Sequence, residues 1–292
     1  MKKFLILLFA VAAALLSGAE KFDLQKKMED AKKGDAKAMN EIGEYYADGG
    51  GGEFAPNYEL AIMWWEAAAK NGDVRALTNL GAALFGGNGV LADVPRAIKI
   101  WNEAAKRGDP DAQFFLGTAY CNGKGVLRDY QTAAFWWERS AKQGNHRAQN
   151  NLAFAYARGE GVERDLKKAF ELWKSSAEKG NLVAQTYLGL CYFTGDGTKI
   201  DQRKAVAIWT SAAEHGSVES LRYLGIAYAS GSGINKDKNA AFQCFSRAAQ
   251  LGDEESRKAA DKLRLDLSME NSEKNTKENN SKYTHKIAVL GR

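Results

Sequence analysis

The chain has 292 residues, 45% of them hydrophobic and 26% charged, with 29 glycines, 3 prolines, 7 tryptophans, 3 cysteines and 3 histidines. Such proportions exclude a wholly disordered or collagen-like chain. A net charge of +5 is too mild to argue for nucleic acid, and so few histidines and cysteines leave little material for a metal site.

The chain opens with Met1-Lys2-Lys3, an apolar run from Phe4 to Leu16, then Ser17-Gly18-Ala19. A charged start, a short apolar stretch and small residues before a cut after Ala19 are the parts of a secretory signal. Its 13 apolar residues would rise only ~20 Å as a helix, short of a bilayer core of ~30 Å. Residues 1–19 are therefore expected to be cleaved, releasing the chain to the periplasm or the extracellular space. Removing 19 residues from 292 leaves 273, with no later run apolar and long enough to span a membrane. No stable membrane insertion is expected after cleavage.

Residues 20–33 carry Leu24, Met28 and Ala31 and read as a degraded helix that caps the N-terminal end. From there a motif recurs. Gly34, Gly72, Gly108, Gly144, Gly180, Gly216 and Gly252 are 38, then five times 36, residues apart. A fixed period of this length marks a repeat architecture. The extra two residues fall near Gly49–Gly52.

Count from each of these glycines as zero. Position 4 holds Ala38, Ala76, Ala112, Ala148, Ala184 and Ser220, and position 8 holds Ile42 and then leucine. Position 12 holds tyrosine except for Leu84. The 4, 8, 12 spacing is one stripe of a helix, named helix A. Position 9 is glycine, or Ala153 in the fourth repeat, which allows close approach of a neighbouring helix. Each anchor glycine is followed by Asp, Asn or Ser, the preferred N-cap residues. A glycine-rich loop follows, then Asn57, Asp93, Asp129, Asp165, Asp201 and Asp237 as N-caps of a helix B. Helix B carries Trp65, Trp101, Trp137, Trp173, Trp209 and Phe245 at one register, with Trp64 and Trp136 beside it. The next anchor glycine ends helix B as a residue able to adopt positive φ.

The pattern A-x-x-G-D/N-x-x-A-x-x-x-L-G-x-x-Y-x-x-G-x-G-V-x-x-D-x-x-K-A-x-x-x-W-x-x-x-A resembles the Sel1-like repeat, a relative of the tetratricopeptide repeats. The resemblance covers residues 34–251 and implies an all-α fold, a right-handed superhelical solenoid of about six 36-residue antiparallel helix hairpins. Residues 252–267 are expected to form a C-terminal capping helix, with Asp261 where a glycine would stand. Residues 268–292, rich in Asn, Lys, Glu and Ser, are expected to be disordered.

The loops fit neither a P-loop nor a calcium loop. His146, His215 and His285 share no ligand spacing, and Cys121, Cys191 and Cys244 are expected to be small unbridged hydrophobes. No cofactor is expected. Some exported members of the family are cysteine-rich and associated with β-lactam binding or hydrolysis. This chain lacks that cysteine pattern and the Ser-x-x-Lys and Lys-Thr-Gly motifs.

By analogy with tetratricopeptide arrays, helix A lines a concave surface, leaving positions 3, 6, 10 and 13 open. The residues expected to meet a partner are Phe85, Phe114, Asn150, Phe154, Leu190, Phe193, Arg222 and Ile226. The competing expectation is that successive A helices bury these side chains. What the resemblance implies is an exported, non-catalytic, monomeric scaffold for another protein or peptide, with no nucleic acid. The alternative is a β-lactam or cell-wall hydrolase.

Overall fold

A computed structural model describes residues 20–290, so the expected targeting segment 1–19 lies outside the described residues. The described residues form fourteen helices and no strand. Helix α1 (Glu20–Lys32) precedes six hairpins. These are α2 (Ala36–Asp48) with α3 (Tyr58–Lys70), α4 (Val74–Gly86) with α5 (Val94–Lys106), and α6 (Pro110–Asn122) with α7 (Tyr130–Lys142). Then come α8 (His146–Arg158) with α9 (Leu166–Glu178), α10 (Leu182–Thr194) with α11 (Gln202–Glu214), and α12 (Val218–Ser230) with α13 (Lys238–Gln250). Helix α14 (Glu254–Leu290) ends the described chain.

The boundaries follow from capping chemistry. Asp73 accepts from the backbone N–H of Ala76, Asp109 from Ala112 and Asn181 from Ala184, each starting a helix A. Asp93, Asp165 and Asp201 do the same for helix B. These side chains satisfy donors that have no intrahelical partner. The cap residue also fixes the hairpin. The N–H groups of Asp93, Asp129, Asp165, Asp201 and Asp237 donate to the carbonyls of Leu84, Tyr120, Tyr156, Tyr192 and Tyr228 at position 12 of the preceding helix A. At the far end the anchor glycines stand at φ between +83° and +98°. A Cβ on Gly72 or Gly108 would meet nothing within 4 Å, so it is the backbone angle that selects glycine there.

The tryptophans form the core, as their register predicts. Trp65, Trp101, Trp137, Trp173 and Trp209 are all buried, and Phe245 takes the same place in the last hairpin. Each lies against the position-9 residue of its own helix A. A Cβ on Gly81 would stand 2.4 Å from Trp101 Nε1, and one on Gly189 2.3 Å from Trp209 Nε1.

The chain divides into two compact units. One runs through Ala148 and includes Glu160–Val162. The other comprises Gln149–Gly159 and the chain from Glu163 onward. In the first, Leu24, Met28 and Ala31 of α1 are buried in the same cluster as Met39, Ile42 and Trp65. In the second, Phe170, Trp173 and Leu188 share one cluster, and Val206, Trp209 and Leu224 another.

The C-terminal end differs from the expectation of a short cap and a disordered tail. Helix α14 continues for 37 residues to Leu290 rather than stopping near 267. No glycine or proline interrupts the sequence between Asp253 and Gly291, so nothing local ends the helix. Asp253 caps it through the N–H of Ser256, and Ala260 packs with Ala241 and Phe245 of α13. Lys238 pairs with Glu270 further along. Asp261 is exposed and accepts from Arg264.

Candidate partner-binding face

Positions 10 and 13 of helix A lie one turn apart on one face, and in each unit they stay partly open. Phe85, Phe154, Leu190 and Phe193 are half-buried, while Ile226 is 43% exposed. They are therefore not sealed between successive A helices. In the second unit Phe154 meets Trp173 and Tyr187 edge-on, at 5.3 and 4.5 Å between ring centres. Phe193 leans on Trp209 at 5.4 Å, and Leu190 packs against the same cluster. These side chains each use one side for the core and leave the other available.

Position 6 requires a correction. Asn40, Thr78 and Thr186 are buried there, and Asn150 is only 8% exposed. At three of its six places this position reaches the start of the next helix A. The Thr78 hydroxyl donates to Asp109, Thr186 Oγ1 lies 3.0 Å from the Ser217 hydroxyl, and Arg222 donates to Asp253 at 3.0 Å. Each partner is an N-cap one repeat on. Asn150 reaches Asn151 through its Nδ2, while its Oδ1 has no partner among the described residues. Arg222 is held by its ion pair and lies 5.8 Å over the Tyr223 ring. Arg222 therefore belongs to a joint between repeats, and Asn150 is buried rather than offered to a partner. Phe114 at this register stays half-open, as Arg222 does, with the Arg147 guanidinium 4.6 Å over its ring.

Sequence reasoning missed a concavity on the first unit. Phe85 and Phe114 line a cleft of about 400 Å³ between α4 and α6, together with Ala82, Trp101, Phe115, Thr118 and Lys124. Trp101 is its floor, stacked on Phe115 at 4.9 Å and 16° and fixed by donating Nε1–H to the Thr78 carbonyl at 3.1 Å. Lys124 Nζ sits 4.1 Å over the Phe85 ring. The available signal was position 7, which carries Phe115, Tyr187 and Tyr223, each stacked on the tryptophan of the preceding repeat.

Cys191 and Cys244 are free, and burial pushes the Cys191 thiol up to about 12 and raises that of Cys244. Among the described residues no group of His, Cys, Asp and Glu is placed to hold a metal, and no helix is long and apolar enough to cross a membrane.

The Sel1 repeat model matches residues 36–73, 74–109, 110–145, 146–181, 182–217 and 218–253, the hairpins described above. The chain belongs to the Sel1 repeat family. A Sel1 repeat protein from Oxalobacter formigenes is similar at 30% identity and a TM-score of 0.67, over 78% of this chain and 99% of that one. A protective antigen of uropathogenic Escherichia coli with the same fold, c5321, is similar at 26% identity and a TM-score of 0.57, over 84% of this chain and 68% of that one. No curated protein sequence matches. Sel1 repeats generally serve as protein-interaction scaffolds.

Proposed function

We propose that this Sel1 repeat chain is an exported, non-catalytic scaffold that holds another protein or peptide on its helix-A face, as a regulator, adaptor or effector inhibitor in the cell envelope. The half-open apolar stripe of positions 10 and 13 carries this reading. Side chains such as Phe193 and Ile226 could have been sealed by packing, yet they remain accessible. Apolar surface left open at a repeated register marks an interaction face. The N-terminal pattern over 1–19 supports export. No observation favours the hydrolase alternative. The raised Cys191 and Cys244 thiols are protonated near neutral pH and are poor nucleophiles.

The test is capture from an envelope extract of the producing cell, with tagged wild type against Ile226→Asp and Phe193→Asp. Both variants are expected to keep wild-type helicity and lose a stoichiometric partner. Equal capture by folded variants would remove the face from the reading. Cell fractionation with mass analysis is expected to find a chain beginning at Glu20 outside the cytoplasm. A cytoplasmic chain still carrying Met1-Lys2-Lys3 would overturn export.

A further inference from the structure

The cleft between α4 and α6 has a polarity of its own. Its walls are Ala82, Phe85, Trp101, Phe114 and Phe115, and no acidic residue lines it. At its mouth Lys124 holds an ammonium over the Phe85 ring, with no ion pair among the described residues. On the other side Arg147 covers Phe114 and, at 5.4 Å, Phe115.

The carboxylates of the second and third repeats are engaged elsewhere. Asp73, Asp93, Asp109 and Asp129, all in the second and third repeats, are turned onto backbone N–H groups as helix caps. The remaining acidic residues there are paired: Asp111 with Arg147, Glu103 with Arg107 and Glu138 with Lys142. Lys124 is left as the cation facing the opening.

We propose that this cleft takes one aromatic or large aliphatic side chain of a partner peptide, and that acidic residues flanking that side chain in the partner pair with Lys124. The deduction rests on the scaffold reading above and adds the chemistry of the bound segment. A volume of about 400 Å³ suits one side chain and its neighbouring backbone, at the lower end of ordinary ligand pockets. The aromatic walls supply burial, and the ammonium selects the sign of the flanks. Trp101 is held in place by its bond to the Thr78 carbonyl, so the floor is set before binding.

The probe is the blocked peptide Gly-Ser-Asp-Glu-Phe-Asp-Ser-Gly with a fluorinated phenylalanine, followed by fluorine NMR against the full chain. Two companions carry lysine in place of the acids, or serine in place of the aromatic residue. The acidic aromatic peptide is expected to bind at least tenfold more tightly than either companion, and to weaken as salt rises from 50 to 500 mM. Lys124→Glu lies at an exposed loop position and is expected to leave helicity unchanged while reversing the preference between acidic and lysine peptides. Phe114→Ala is expected to weaken both.

Equal binding of the acidic and lysine peptides, or indifference to Lys124→Glu, would overturn the proposal. So would equal binding of the serine peptide, which would mark simple charge attraction. Absence of binding by all three also overturns it. The broader scaffold reading fails separately, when Ile226→Asp and Phe193→Asp leave partner capture intact. An acidic peptide that fails here while those variants lose their partner removes the cleft and keeps the face.

Discussion

At position 9 the backbone of helix A and a tryptophan ring compete for one space. Gly189 leaves room for Trp209, whose Nε1 donates to the Thr186 carbonyl at 2.9 Å. Gly189→Val would force the ring out, and overpacking of this kind costs about 1–3 kcal/mol. A lowered urea midpoint at unchanged slope would register it. Repeat four already seats Ala153, fully buried, so the reverse kind of change, Ala153→Gly, is also expected to destabilise, by roughly 0.5–1 kcal/mol. Asp109 makes a second residue-scale case, because it caps α6 and also accepts from Thr78 at 2.8 Å. Asp109→Ala should cost about 1–2 kcal/mol in thermal or urea unfolding, whereas Asp109→Asn should be nearly neutral. The glycine and cap positions were legible because each has one physical solution. Position 6 was not. Helical period places Thr78 and Thr186 on a face, but does not say that the next repeat's cap sits over it. Position 5 was equally opaque, since Leu77 and Gln113 are both buried there. Gln113 tolerates burial by donating to the Ala105 carbonyl and accepting from Gln143, a pairing that polarity alone hides.

At the scale of the helix, the caps also set a response to acid. The Thr132 hydroxyl, then the Thr132 and Gln131 N–H groups, hold the Asp129 carboxyl below its ordinary value of 3.8. The Lys168 N–H does the same for Asp165, aided by the charge of Lys168. A depressed carboxyl pKa stabilises the fold above the unfolded value and loses that contribution as pH falls through the folded one. Melting temperature is therefore expected to fall below about pH 4 in the wild type, and less steeply in Asp129→Asn, which keeps the cap without the titration. Parallel curves would show that this cap contributes nothing to acid sensitivity. Helix α14 presents a different balance. Its first turns are capped by Asp253 and packed on α13, but residues 268–285 are almost without apolar side chains. A helix without a packed face is marginal in water. Amide exchange past Ser268 should be faster than in α13 by orders of magnitude, and protection equal to that of α13 would mean that the tail is docked. Composition there points to disorder. The absence of any helix-stopping residue before Gly291 was equally on view.

At the scale of the whole chain, the hairpin architecture was readable from one number, the 36-residue spacing, because the repeats write the same caps, glycine and tryptophan again, with Ala153 and Phe245 as the exceptions. The binding face was half readable. Positions 10 and 13 follow from the helical register, but the cleft between α4 and α6 depends on a ring of one repeat stacking on the tryptophan of another. Alkylation offers a check on the core of the second unit: Cys191 should resist iodoacetamide at pH 8 in the folded protein and react on unfolding. Prompt labelling of native Cys191 would contradict its burial. The joints carry one more consequence. A chain of near-identical segments risks closing each helix against the wrong copy of its neighbour, 36 residues out of step. Thr78 meets an aspartate, Phe114 meets an arginine, Thr186 meets a serine and Arg222 meets an aspartate. These contacts differ in kind: only the last is an ion pair, and only the second sets a cation over a ring. The repeats are alike enough to share a fold, and their seams differ enough to disfavour some of the out-of-step pairings.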